Sequence, residues 1–342
     1  MDELTATPKE MKKAIFRRIR VALLESGSAT KVELSRKLDI SFPTISKFIT
    51  EMEKDGELIS VGLDDSSGGR RANRYRYNPE HTLGLAIFLE KTETNYIVFN
   101  CVGEVKEQGQ TLSVLMDDIQ SLTKRVEEIV RKYPQIGSMA IGVPGSVNKG
   151  KIIYIPNYEH FYDFDLKGLF EERFSIPVVV ENDMNAAVIG YYHKRNNIHS
   201  SLIYLYFGQN GPGAGIMING DVVRGSTFFS GEVSFVPLYN DRNFLQALTR
   251  EGEQGTGKPI TEEKIDAISR LVVTFTAILN PGTVIFCRDE VNDSITARIA
   301  SRCAAYIPEE HLPKLTESDW KQDYLYGLQT LGLSLMIKGT RI

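Results

Sequence analysis

Thr30-Lys31-Val32-Glu33-Leu34-Ser35-Arg36-Lys37-Leu38-Asp39-Ile40-Ser41-Phe42-Pro43-Thr44-Ile45-Ser46-Lys47-Phe48-Ile49 is the stretch from which the first eighty residues can be read. Thr30 and Glu33 form a capping box, the hydroxyl serving the Glu33 amide and the carboxylate reaching back, which starts a short helix ending near Leu38. Asp39-Ile40 makes a tight turn and Ser41 caps a third helix. Pro43 is harmless in its first turn, where amides lack helical partners. Upstream, Met11, Ile15, Ile19, Ala22 and Leu23 recur at spacings of three or four, so Pro8 to Glu25 reads as an amphipathic helix closed by a Gly-Ser break. Downstream come Glu57-Leu58-Ile59-Ser60-Val61, a glycine-rich turn from Ser66 to Gly69, and the basic strand Arg74-Tyr75-Arg76-Tyr77.

That order predicts a winged helix-turn-helix over residues 1–80, with the third helix entering a major groove of double-stranded DNA. Its N-terminal face carries Ser41, Phe42, Thr44, Ser46 and Lys47, which can reach base edges and phosphates. Arg70 and Arg71 would lie on the wing beside the backbone or in a minor groove. Lys31 and Arg74 complete the expected DNA-contacting set. A small helical interaction domain is the plainer alternative. The coincidence of capped helices, hairpin and four arginines within Arg70 to Arg76 favours DNA.

The 342 residues are 42% hydrophobic, 9% aromatic and 25% charged, values that exclude disordered, collagen-like and fibrous classes and allow two or three domains. With 40 basic against 44 acidic side chains the net charge is -4, so any binding of nucleic acid must be local. Residues 1–79 carry 15 basic and 12 acidic groups, leaving 25 and 32 for the remainder: a mildly basic head on an acidic body. Cys101, Cys287 and Cys303 are odd in number and widely spaced, which points to a reducing compartment. With no signal-like N-terminus and no apolar run long enough for a membrane span, the expected location is cytoplasmic and no membrane partner is expected.

After Pro79 the pattern changes to strands rich in Ile, Val and Tyr (Leu83 to Leu89, Tyr96 to Asn100, Met139 to Val143, Val178 to Glu181, Leu202 to Phe207). These alternate with helical stretches at Asp117 to Lys132, Leu166 to Phe174, Asn185 to Lys194, Thr261 to Leu279 and Ser318 to Lys338. The fold class is α/β with a two-lobed body. One lobe is expected over 81–185, completed by the last helix at about 318–342, and the other over 186–317.

Several segments then occur in a telling order: Ser66-Ser67-Gly68-Gly69-Arg70-Arg71, Gly142-Val143-Pro144-Gly145, Pro156-Asn157, Glu181-Asn182-Asp183-Met184-Asn185-Ala186-Ala187, Gly211-Pro212-Gly213-Ala214-Gly215, Asn219-Gly220, Arg224-Gly225, Gly231-Glu232 and Leu279-Asn280-Pro281. Through them nearly the whole chain resembles the ROK family, which groups sugar-responsive repressors and sugar kinases on an actin-like, ribonuclease-H-like fold. The resemblance implies that Asp183 stands where family kinases keep their general base, and that Asn157, Asn182 and Glu232 stand where sugar hydroxyls are held. Asn182 and Asp183 would also suit the start of a helix.

The resemblance breaks at the nucleotide. The family's Asp-x-Gly-Gly-Thr phosphate loop falls on Ala86-Ile87-Phe88-Leu89-Glu90, with bulky residues for glycines and Glu90 adding negative charge. Like charges about 4 Å apart repel by roughly 4 kcal/mol at an effective dielectric of 20, so ATP is not expected to bind. Gly211, Gly213 and Gly215 read as structural, with Pro212 stiffening them. The adenosine-side glycine pair is replaced within Ile285-Phe286-Cys287-Arg288-Asp289. The family's zinc segment reads Gly231-Glu232-Val233-Ser234-Phe235, without the histidine or the cysteines that follow it, so neither metal nor cofactor is expected.

The combined expectation is a non-catalytic transcriptional regulator, a repressor, acting as a homodimer or homotetramer on a two-fold operator and responding to a sugar or sugar phosphate. The alternatives are a sugar kinase with a regulatory head, supported by Asp183, and a ligand-independent DNA-binding protein whose body serves only oligomerisation.

Overall fold

Helix α1 (Pro8–Ser26) starts at Thr7, whose side chain and that of Glu10 cap each other's amides, and it buries Phe16, Ile19, Ala22 and Leu23. The structure, a computed structural model, describes residues 7–63, 71–116, 119–195, 201–208, 211–249 and 261–338. After a two-residue strand, β1 (Ala29–Thr30), α2 (Lys31–Leu38) begins at the expected capping box, with the Glu33 amide 3.2 Å from the Thr30 hydroxyl. Asp39 closes α2 in the left-handed region, φ 51°. Ser41 caps α3 (Phe42–Lys54), whose Ile45, Phe48, Ile49 and Met52 are buried against the other two helices. Strands β2 (Leu58–Leu63) and β3 (Asn73–Tyr77) join β1 in an antiparallel sheet of order β1-β3-β2. The glycine-rich turn and Arg70 lie outside the described residues.

The body repeats one plan twice. In its first half β4 (Leu83–Leu89), β5 (Glu93–Asn100) and β6 (Val105–Leu112) form an antiparallel meander. There follow α4 (Ile119–Lys132), β7 (Ile136–Val143), the hairpin β8 (Ser146–Asn148) and β9 (Lys151–Tyr154), α5 (Leu166–Phe174) and β10 (Val178–Asn182). β7 pairs in parallel with both β4 and β10, giving the order β10-β7-β4-β5-β6. Then α6 (Asp183–Lys194) leads to the second half: β11 (Leu202–Tyr206), β12 (Gly213–Ile218), β13 (Asp221–Val222), α7 (Phe244–Leu248), α8 (Glu262–Leu279), β14 (Thr283–Cys287), α9 (Asp293–Cys303), β15 (Lys314–Ser318) and α10 (Trp320–Lys338). Its sheet, β13-β12-β11-β14-β15, has the same succession of antiparallel and parallel pairs. All seven residues of β4 are buried, as expected of a strand covered on both faces.

Between the sheets lie α6 and α10, α10 against β4 and β7 and α6 against β12 and β11. They touch backbone to backbone. A Cβ on Gly327 would stand 1.8 Å from the Ala186 carbonyl oxygen, and one on Gly190 1.8 Å from that of Asp323, so larger residues cannot occupy this crossing. One continuous apolar cluster joins the head (Phe16, Ile49, Tyr77) to this central layer (Ala187, Tyr324, Met336). The outer faces of the two sheets have cores of their own.

Candidate nucleic-acid interface and ligand cleft

At the start of α3, Ser41, Phe42 and Lys47 are exposed, Phe42 by 48% despite its apolar ring, while Thr44 and Ser46 are half-buried. The Ser41 and Thr44 hydroxyls lie 2.8 Å apart, and Lys31 donates to Ser46 at 3.2 Å and sits over the Tyr75 ring. Lys31 and Ser46 therefore fasten α2 to α3 as well as edging the face. Arg71 is exposed. Arg74 is turned inward, donating to Glu33 at 3.0 Å and to the Ser28 carbonyl at 3.4 Å, so its visible role is to tie β3 to the start of α2.

The second candidate site is the cleft at the start of α6. Asn182 is the helix cap: its side-chain oxygen accepts from the Asn185 amide at 2.9 Å, and its Nδ2 donates to Asp183 at 2.8 Å and to the Gly145 carbonyl at 3.1 Å. Capping and positioning of Asp183 are thus done by one side chain. Asp183 also accepts from the Met184 amide at 2.8 Å. Burial pushes its carboxyl up to about 7, with the nearby Glu232 charge adding to the shift. Glu232 is itself held above the ordinary carboxylate range by burial. Beside it Phe229 and Phe235, 53% and 63% exposed, pair with ring centroids 5.3 Å apart. Asn182, Asp183 and Glu232 are therefore assembled, whereas Asn157 stands exposed on the loop after β9 in the left-handed region, φ 69°.

Three residues that the motifs contained without a stated role complete this framework. The buried Glu181 accepts from the Asn182 amide and from Asn185 Nδ2, both at 3.0 Å, and its other oxygen takes Arg224 at 2.5 Å. An ionised glutamate at the buried end of a strand needs such a cation, but which arginine supplies it could not be read from the sequence.

At the former phosphate loop the structure corrects one expectation. Glu90 is 5% exposed and its carboxyl is pushed up to about 9, first by burial and then by Asp183, so it is neutral at neutral pH and adds no negative charge. The Glu90 amide is spent on the Glu93 carbonyl at 2.9 Å. Tyr324 packs on Phe88 with ring centroids 5.0 Å apart, and a Cβ on Gly142 would meet its hydroxyl at 2.2 Å. Tyr206 and Trp320 stack nearly parallel, 10° and 4.1 Å, and Trp320 in turn touches Tyr324. Among the described residues, neither Glu90 Oε1 nor the Tyr324 hydroxyl has a hydrogen-bond partner. These aromatics come from the last helix and the second sheet, far from the loop in sequence.

No described helix is long and apolar enough to cross a membrane. A xylose repressor of Caldicellulosiruptor bescii is 28% identical over 264 residues, 73% of this chain and 64% of that protein. The chain thus spans less than two thirds of the length of that curated relative. Among solved structures, a ROK family transcriptional regulator described as a homologue of the Escherichia coli MLC protein superposes with a TM-score of 0.69 at 18% identity, covering 96% of this chain and all of that one. A putative N-acetylmannosamine kinase from Listeria monocytogenes gives 0.63 at 18% identity, over 74% of this chain and 99% of that one. The winged head and paired five-stranded sheets are therefore a known arrangement, and the ROK family model matches residues 85–255, half of the chain. By that match, and by the ordered motifs that the fold brings together around α6, the chain belongs to the ROK family.

Proposed function

We propose that this protein is a sequence-specific DNA-binding transcriptional regulator, a repressor, whose ROK body binds a carbohydrate without phosphorylating it. The observation that carries the reading is the start of α3, where Phe42, Ser41 and Lys47 project from a rigid, doubly capped helix pair and serve no packing purpose there. The name of the curated relative supports it. One such helix reads only a few base pairs, so the working form is a homodimer on a two-fold operator.

The effector is an unphosphorylated sugar. The cleft groups are carboxyls and amides, suited to hydroxyls. Among the described residues, Arg224 is engaged by Glu181 and Lys321 by Glu93 at 2.7 Å. Xylose is the first sugar to try, after the name of the relative. A kinase reading draws on Asp183, whose carboxyl near 7 would suit a general base. Against it stands the aromatic filling of the phosphate position.

The test is fluorescence anisotropy with labelled DNA from upstream of the gene, at two salt concentrations, with xylose, other sugars and sugar phosphates. Competitor-resistant binding released by a free sugar is expected. Release by a sugar phosphate alone would overturn the choice of effector. Hexose or pentose phosphorylation lost in Asp183→Ala would restore the kinase, and absence of specific binding would remove the regulator.

A further inference from the structure

The carboxyl end of α3, the end away from the DNA face, is held from the body by a continuous set of hydrogen bonds. The Glu57 amide donates to the Met52 carbonyl at 2.9 Å, closing the helix. Asn78, in the segment linking head to body, grips that closure twice, its amide on the Glu57 carbonyl at 2.9 Å and its Nδ2 on the Gly56 carbonyl at 2.8 Å. The linker is in turn fastened to the turn between β5 and β6: the Cys101 amide donates to the Pro79 carbonyl at 3.4 Å and Asn100 Nδ2 to Glu80 at 3.1 Å. That turn is fixed from the other side by α10, whose nearly buried Gln329 donates to the Gly103 carbonyl at 2.8 Å. About one and a half and two and a half turns earlier on the same helix stand the buried Tyr324, beside Asp183 and Glu90, and Trp320, which packs on it. The α6–α10 crossing at Gly190 and Gly327 lies between the two ends.

We propose that α10 is a rigid rod joining the cleft to the recognition helix, and that the Gln329–Gly103 hydrogen bond is the coupling through which the state of the cleft and the position of α3 report on each other. The device rests on the reading of the head as the DNA-binding end. Glycine contact at the crossing makes the rod move as one piece, because backbones in contact cannot slide without the side-chain slack that usually absorbs small shifts. Gln329 is a positioning residue: it touches neither DNA nor sugar. Coupling of this kind is reciprocal, so DNA bound at the head must alter the cleft even with no effector present.

The chain has one tryptophan, and it is Trp320. Emission excited selectively at that indole therefore reports the cleft end of the rod, while anisotropy of labelled DNA reports the head. Saturating the protein with upstream DNA is expected to shift or quench Trp320 emission along the same binding curve as the anisotropy. Gln329→Ala and the volume-matched Gln329→Met should keep the DNA affinity within about threefold of the parent and lose most of the emission change. A parent emission that stays constant while the anisotropy saturates, or variants whose emission responds as fully as the parent's, would overturn the proposal.

A second arm needs no DNA. In the free protein Gln329→Met should hasten hydrogen exchange at the Glu57 and Asn78 amides and leave those of β7 as they were. Unchanged exchange at Glu57 and Asn78 would refute the coupling even if the DNA-binding reading failed, so the two failures are distinguishable.

Discussion

Two places in this molecule are built where phosphates would be expected, and they are made in opposite ways. At the start of α3 the chain exposes a lysine, a serine and an aromatic ring to solvent on a helix end whose Thr44 amide is capped by Ser41. At the end of β4 it buries Phe88, Leu89 and a neutral glutamic acid, roofs them with Tyr324, and spends the loop amide on its own hairpin. The first leaves the Lys47 side chain in solvent. The second is lined by buried side chains. The difference teaches that burial, set by segments distant in sequence, separates the two stretches more than their local sequence does.

The comparison can be broken at the cleft first, where the largest effect is expected. Arg224→Ala would strand the buried Glu181 carboxylate, and a loss of about 2–3 kcal/mol in unfolding free energy is expected, the exposed part of Arg224 moderating the usual cost of splitting such a pair. Chemical denaturation measures it; a change within error would mean that Glu181 is held by its amide donors alone.

At the head, Lys47→Ala should weaken specific DNA binding roughly tenfold and reduce the slope of log affinity against log salt by about 1, the mark of one lost phosphate contact. An unaltered slope would remove Lys47 from the interface.

Glu90→Gln sharpens the contrast between charge and shape. The folded carboxyl, with its value near 9 against an ordinary 4.5, keeps a proton that the unfolded chain releases, so wild-type stability falls as pH rises between those values. The amide variant should lack that part of the decline, showing a melting temperature that falls several degrees less than the wild type from about pH 6 to about pH 9. Parallel declines would mean that Glu90 is ionised in the folded protein. ATP should bind neither form, because the aromatic filling is untouched.

The smallest effect concerns Arg74. Its half-exposed pair with Glu33 predicts a stability cost in Arg74→Ala of about 0.5 kcal/mol and an unchanged salt slope for DNA. A slope reduced by about 1 would show that Arg74 leaves Glu33 for phosphate when DNA binds.

Much of the head was legible because its signals are local. Thr30 with Glu33 and Ser41 with Thr44 are three residues apart, and the structure realises both caps where the spacing puts them. The strands of the body were visible as apolar runs, and residue type offered Asn182 and Asp183 as caps of a helix expected near Asn185; the structure starts α6 at Asp183 with Asn182 as its cap. The charge state of Glu90 was not legible. It depends on burial by β4's neighbours and on Asp183, which stands 93 positions away along the chain. Nor could spacing show that Arg74 folds back on Glu33, that Arg224 closes on Glu181, or that Gln329 reaches Gly103, contacts made across 41, 43 and 226 positions.

The amino-acid sequence by itself determined the helix boundaries of the head, the α/β character of the body and the residue types gathered at α6, because caps, periodicity and motif order act over a few residues at a time. Only the tertiary structure decided which charges survive, which glycines are contact points between helices and which aromatic rings pack around the end of β4. Those outcomes depend on what the chain brings together from distant segments, where desolvation and close packing set the energies.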